Sequence, residues 1–182
     1  GLPVDQDFHV SDEVRAMFAA RAQELDAKAR TWDGDLQRYR GDNPEKAKLW
    51  DEHHRGTLPD GLDACLPVFE LDKPIATRAA GGKVMQKLAQ KLPSLVGGAA
   101  DLAPSTRTIL DDFGHVAAGD FTGRNLHFGV REHAMAAVLN GMALHGGFRV
   151  YGATFFVFAD YCRPSIRLSA IMKLPVIYVF TH

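Results

Sequence analysis

The stretch NLHFGVREHAMAAVLNGMALHGGFRVYGATFF, residues 125–156, decides the fold. Its first part, residues 125–130, predicts a short buried strand, and residues 131–144 predict a helix rich in Ala, Met and Leu. Two glycines follow the helix, where glycine commonly ends one. Residues 148–154 then predict a second strand. A strand, a helix and another strand in close succession are typical of a parallel sheet.

The neighbouring segments extend the same alternation in both directions. Residues 76–91 and 156–172 predict helices, and residues 95–100 and 175–180 predict short buried strands. We therefore expect residues 73–182 to form an α/β domain with a parallel sheet flanked by helices. The carboxyl ends of all strands should meet at one edge, where such folds place their binding sites.

The region before this domain has helical patterns and almost no strand signal. Residues 11–31 predict a helix capped by Ser11, and residues 45–55 predict a second, highly charged helix that ends at Gly56. We expect residues 1–72 to be a mainly helical linker that packs on another domain or connects two domains.

Composition argues against several classes of function. The net charge is −1 and no basic block occurs, which gives little electrostatic support for nucleic-acid or membrane-surface binding. The apolar segment near the end is interrupted by Lys173 and Pro175, so no stretch is long enough to span a bilayer. Cys65 and Cys162 belong to no CxxC motif, and no metal-ligand spacing occurs. These features suit a cytoplasmic protein whose chain itself binds no metal.

Polar and aromatic segments follow the predicted strands at the expected functional edge. They comprise residues 97–105, 129–135 and 154–161, together with His182 after the last strand. Position alone leaves open whether this edge binds a ligand or consists of ordinary loops and helix caps.

Two features of that edge have a structural as well as a functional interpretation. A glutamate in the first turn of a helix, such as Glu132, usually stabilises the helix dipole. Aromatic residues at helical spacing usually pack in a core, and here they are Phe155, Phe158 and Tyr161.

Several motifs in a fixed order nevertheless resemble one family. Residues 125–135 closely resemble the pyrimidine-domain signature of transketolases, and residues 97–105 resemble a second motif of that family. Residues 144–148, the aromatic positions within 155–161, and residues 181–182 continue the resemblance in the same order. It covers essentially the whole chain, including the helical linker.

The resemblance implies a transferase that uses thiamine diphosphate. Transketolases move a two-carbon ketol unit from a ketose phosphate to an aldose phosphate, in the pentose phosphate pathway or the Calvin cycle. By resemblance, one carboxyl group is catalytic and hydrogen-bonds the pyrimidine N1′ of the cofactor. The implied residues are catalytic Glu132, the cofactor-binding Asp101, Phe155, Phe158 and Tyr161, and the phosphate-binding Arg78, Ser105 and His182.

The resemblance also implies parts that this chain lacks. In the family, Mg²⁺ or Ca²⁺ and the diphosphate are held by another domain with a Gly-Asp-Gly motif, which is absent from this sequence. We therefore expect a truncated piece, incomplete at the end of its pyrimidine domain and inactive alone. The full-length protein should be a homodimer with its active site at the subunit interface.

Two alternative functions stay open. The related dihydroxyacetone synthases accept formaldehyde and share the motifs. A non-catalytic module that only pairs with a partner subunit would also carry a pyrimidine domain.

Overall fold

Residues 3–182, which this computed structural model describes, contain a four-stranded parallel sheet. Its strands are β1 (Leu95–Ala99), β2 (Asn125–His127), β3 (Arg149–Phe155) and β4 (Ile177–Thr181). They pair in the order β2-β1-β3-β4, so β1 and β3 occupy the centre. The prediction of a parallel sheet flanked by helices is confirmed.

The helices of the described residues match most of the predicted ones. A short helix after β1 and two 3₁₀ helices were not expected from the sequence pattern. The α-helices are α1 (Asp12–Asp42), α2 (Pro44–Arg55), α3 (Thr77–Lys91), α4 (Ala103–Thr106), α5 (Glu132–His145) and α6 (Ala159–Ile171), and the 3₁₀ helices are Asp63–Cys65 and Phe156–Phe158.

Helix α1 begins where the sequence predicts and ends later. The Ser11 hydroxyl accepts a hydrogen bond from the Val14 amide at 3.4 Å, which confirms the predicted cap. The helix continues beyond residue 31 to Asp42. Its last turns have little apolar periodicity, but an ion pair between Arg38 and Asp35, three residues apart, supports the helical conformation.

The structure divides into two compact units, one ending at Leu49 and the other comprising Trp50–His182. The first contains α1 and the start of α2. The second contains the sheet and the remaining helices, and Gly56, with φ of +66°, ends α2 as predicted. The boundary that the sequence suggests between linker and domain, at residues 72 and 73, stays a prediction.

Strand β2 is shorter than the sequence pattern indicates. It ends at His127, and the following turn contains Gly129 with φ of +64°. Residues with a side chain rarely adopt this left-handed conformation, which glycine tolerates. The chain therefore turns at Gly129, and the apolar residues on either side of it are not part of the strand. Helix α5 begins directly after this turn.

Two apolar clusters pack on opposite faces of the sheet, because successive residues of β3 point in opposite directions. Val150 contributes to the cluster beneath α5 and α6, and Tyr151 to the cluster beneath α3. The first cluster comprises Ala100, Met135, Ala136, Leu139, Val150 and Cys162, and the second Ala89, Leu92, Leu95, Leu110 and Tyr151.

Close approach of neighbouring strands requires glycine in the centre of β1. A Cβ atom on Gly98 would lie 1.7 Å from the carbonyl oxygen of Leu126 in β2. One on Gly97 would lie 2.1 Å from the carbonyl oxygen of Tyr151 in β3. Since both obstacles are backbone atoms of paired strands, no side-chain rotation relieves them.

We expect Gly98→Ala to destabilise the chain by about 3 kcal/mol or more, because the paired strands must move apart. Gly141→Ala is the matched control. Gly141 lies inside α5 with no atom within 4 Å of the added methyl group. That substitution should stabilise the helix by about 1 kcal/mol. Urea unfolding measures both free energies, and a shift of the two variants in the same direction would contradict the interpretation of Gly98.

Candidate functional site

The order of the strands reverses between the two central strands. Strand β2, which follows β1 in the chain, pairs with one edge of β1. Strand β3 pairs with the other edge of β1. In open α/β sheets, ligands bind outside the carboxyl ends of the strands at such a point. The carboxyl end of β1 leads to Asp101, and that of β3 leads into the 3₁₀ helix Phe156–Phe158.

Glu132 is the first residue of α5 and lies at this edge. The turn that precedes it is held by hydrogen bonds from the Arg131 amide to the Gly129 carbonyl oxygen, at 2.8 Å, and from Arg131 Nη1 to the Phe128 carbonyl oxygen, at 3.2 Å. Glu132 is only 9% exposed. Within residues 3–182, no donor hydrogen-bonds its carboxylate. Its oxygens are not among the buried, unpartnered polar atoms of the described chain, so they are accessible to a ligand.

The start of α6 packs directly on the start of α5. The Cys162 thiol donates to the backbone carbonyl oxygen of Glu132, with an S···O distance of 3.4 Å. Burial, and then the negative charge of Glu132, raise the pKa of this thiol to about 11. The thiol therefore stays neutral and occupies the core beside the carboxylate.

A buried network of hydrogen bonds fixes the relative positions of α5, α6 and β4. Asn140 Nδ2 donates to the Ser165 carbonyl oxygen at 2.9 Å, and Ser169 Oγ donates to Asn140 Oδ1 at 2.6 Å. Ser169 Oγ also lies 2.9 Å from the hydroxyl of Tyr178 in β4. Sequence analysis missed these residues, although polar positions on the inner face of otherwise apolar helices are a recognisable signal. The network fixes the helix of Glu132 relative to both neighbours.

The three predicted aromatic residues come together with His182 in a row at the same edge. The rings of Phe155 and Phe158 stack with centroids 6.2 Å apart, and the Phe158 and Tyr161 centroids are also 6.2 Å apart. The His182 ring stacks on Phe155 at 6.5 Å. Phe155 and Phe158 are half-buried, whereas Tyr161 is 63% exposed. This aromatic row offers flat apolar surface to a ligand.

The other predicted residues lie on the α3 and α4 side of the sheet. Asp101 follows β1 in a left-handed conformation, with φ of 62°, and is exposed. Arg78 is half-buried in the first turn of α3, and Ser105 is exposed in α4. Helices α3 and α4 line a groove of about 400 Å³, and α4 packs against β3 and β4. Among residues 3–182, no hydrogen bond or ion pair joins the side chains of Arg78, Ser105 and His182.

The described residues contain neither a cluster of metal-binding side chains nor a helix suited to crossing a membrane. In residues 3–182, no three His, Cys, Asp or Glu side chains are grouped as metal ligands would be. No helix of the described chain combines the length and the apolar character that a membrane crossing requires.

Comparison with known proteins identifies the family. Residues 73–182 match the family described as transketolase, pyrimidine binding domain. This chain belongs to the transketolase family. The transketolase of Geobacillus stearothermophilus is 51% identical over 178 residues, which are 97% of this chain and 27% of that protein. The family resemblance of the sequence motifs is thereby confirmed, and the chain spans about a quarter of that relative's length.

Solved transketolases share the backbone arrangement. The enzyme from Leishmania mexicana superposes with a TM-score of 0.89 at 37% identity, over 98% of this chain and 27% of that one. A Pichia stipitis transketolase in complex with sedoheptulose-7-phosphate superposes with a TM-score of 0.87 at 34% identity, with the same two coverages of 98% and 27%. The pyrimidine domain in these enzymes has the same parallel sheet and flanking helices.

The burial of the Cys162 thiol leads us to expect that it reacts slowly with alkylating reagents. At pH 8, Cys162 should react with iodoacetamide at least about 100-fold more slowly than the half-buried Cys65, because its raised pKa and burial leave almost no accessible thiolate. Mass spectrometry of the labelled peptides measures both rates. In denaturant the two rates should converge, whereas equal rates in the native chain would show that Cys162 is not buried.

Proposed function

We propose that the full-length protein transfers a two-carbon ketol unit from a ketose phosphate to an aldose phosphate with thiamine diphosphate, and that this chain binds the aminopyrimidine ring. The observation that carries the proposal is Glu132, a nearly buried residue whose carboxylate makes no hydrogen bond among residues 3–182. Its backbone carbonyl oxygen accepts a hydrogen bond from the thiol of Cys162, the residue that follows Tyr161 in α6.

The residues present fit the cofactor. An aminopyrimidine ring needs a flat apolar surface and a carboxyl group within hydrogen-bond reach of its N1′. The aromatic row supplies the first, and the unpaired Glu132 carboxylate supplies the second. When bound, thiamine diphosphate supplies the stabilisation of a carbanion next to a carbonyl group. Its diphosphate and a metal ion, Mg²⁺ or Ca²⁺, would be held by residues outside this chain.

In this proposal Glu132 holds a proton that it shares with the pyrimidine N1′. Such sharing would make the ring's own amino group better able to accept a proton. Glu132 is the first residue of α5, where a carboxylate interacts favourably with the helix dipole. Phe155 and Phe158 keep water from the ring face, which strengthens the hydrogen bond.

The phosphate end of the sugar would bind on the other side of the edge. Arg78, Ser105 and His182 are the proposed ligands, and the Pichia stipitis relative was solved with a sugar phosphate. A guanidinium group suits bidentate binding of phosphate, and no protein group holds Arg78 among residues 3–182. Asp101, beside this region, would contact the cofactor.

The proposed quaternary structure follows from the half of the cofactor site that this chain carries. Since this chain carries the pyrimidine half only, we propose a cytoplasmic homodimer in which a second subunit supplies the diphosphate half. Ketol transfer then requires the full-length protein.

In the full-length protein, Glu132→Gln should slow hydrogen–deuterium exchange at C2 of the cofactor by about 10²–10⁴-fold, because glutamine cannot share the proton. Acid quench followed by NMR measures the exchange rate. Glu45→Gln is the control, since Glu45 also lies in the first turn of a helix. Wild-type exchange in the Glu132 variant, with cofactor bound, would remove the basis of the proposal.

Arg78→Ala should raise KM for phosphorylated donors by about 10–100-fold, as expected for a lost charge-assisted bond of roughly 1.5–3 kcal/mol. KM for hydroxypyruvate should stay nearly unchanged, because this donor has no phosphate. Arg167→Ala, an exposed arginine of α6, is the control. Equal losses with both donors would assign Arg78 to the fold or to cofactor binding instead.

A further inference from the structure

Thr154, near the carboxyl end of β3, has a buried hydroxyl group without a partner. The residue is 0% exposed, and its Oγ1 makes no hydrogen bond to any of residues 3–182. A buried hydroxyl without a hydrogen bond destabilises a fold, and such groups in native proteins commonly have a functional explanation. Valine has nearly the same shape, favours strands and would avoid the penalty.

The packing of α5 on β3 shows which way the Thr154 hydroxyl points. Gly152 faces α5, because a Cβ atom there would lie 2.4 Å from Leu139 Cδ1 and 3.2 Å from Met135 Sδ. Thr154 lies two residues further along the strand and therefore faces the same helix, about 6.6 Å nearer the carboxyl edge. Met135 lies three residues, or about 4.5 Å along the helix axis, after Glu132, the first residue of α5. Thr154 thus faces the first turn of α5, where Glu132 lies.

A second unpartnered hydroxyl, on Thr181 of β4, provides a contrast. Thr181 pairs with Phe155, the neighbour of Thr154 in β3, and so points to the opposite face of the sheet. Both threonines therefore have a buried hydroxyl oxygen without a partner among residues 3–182, but only the Thr154 side chain lies on the face of α5.

We propose that Thr154 is a positioning residue for Glu132, a role that rests on the function proposed above. Its hydroxyl donates a hydrogen bond to one carboxylate oxygen of Glu132 after rotation of the glutamate side chain. That bond holds the carboxylate in the orientation in which its other oxygen reaches the pyrimidine N1′. The cost of the unpartnered hydroxyl is offset when the site is engaged.

The test compares Thr154→Val, Thr154→Ser and Thr181→Val in the full-length protein. Without cofactor, Thr154→Val should raise the unfolding temperature, because it removes a buried unpartnered hydroxyl. With cofactor, the same variant should slow hydrogen–deuterium exchange at C2 by about tenfold, the effect of losing one hydrogen bond to the carboxylate. Thr154→Ser keeps the hydroxyl and should exchange within about twofold of wild type.

Thr181→Val is the matched control, with raised stability and wild-type exchange as its expected result. The proposal is overturned if Thr154→Val exchanges at the wild-type rate, if Thr154→Ser is as slow as Thr154→Val, or if Thr181→Val is equally slow. Glu132→Gln is measured alongside. A slow Glu132→Gln with a normal Thr154→Val rejects only the role of Thr154, whereas normal exchange in both rejects the proposed function as well.

Discussion

The close packing of α5 on the central strand β3 is the contact on which the candidate site depends. Gly152 lets Leu139 and Met135 lie almost on the strand backbone, since any side chain there would overlap with them. This packing sets the distance between helix and sheet and brings the first turn of α5 to the carboxyl edge. Glu132 consequently lies near the ends of β1 and β3, where the order of the strands reverses.

The surroundings of Glu132 are rigid on one side and open on the other. Towards the core, the Cys162 thiol and the network of Asn140, Ser169 and Tyr178 tie α5 to α6 and β4. Towards the edge, the carboxylate has no partner among residues 3–182. A carboxylate without a partner in the described chain needs a fixed arrangement of the surrounding helices to keep it in place. Both properties suit a group whose partner is a cofactor.

Much of the fold could be predicted from the sequence, because periodicity and glycine positions are local signals. Helices α3 and α5 and the central strands lie within a few residues of their predicted bounds. The strand order, helix α4 and the end of β2 at His127 were not predicted, since they depend on contacts between distant segments or on a single turn at Gly129. The aromatic spacing placed Phe155, Phe158 and Tyr161 together correctly, whereas their partner His182 and the roles of all site residues came from family resemblance. Thr154 gave no sequence signal, because a threonine in a buried strand looks like an ordinary strand residue.

The proposed function depends above all on contact between Glu132 and the pyrimidine ring of the cofactor. A crystal structure of the full-length protein with thiamine diphosphate tests this contact most directly. We expect a Glu132 carboxylate oxygen about 2.6–3.2 Å from N1′, with the ring against Phe155 and Phe158. A ring bound elsewhere, or an N1′ that contacts a different acidic group, would contradict the proposed role of Glu132.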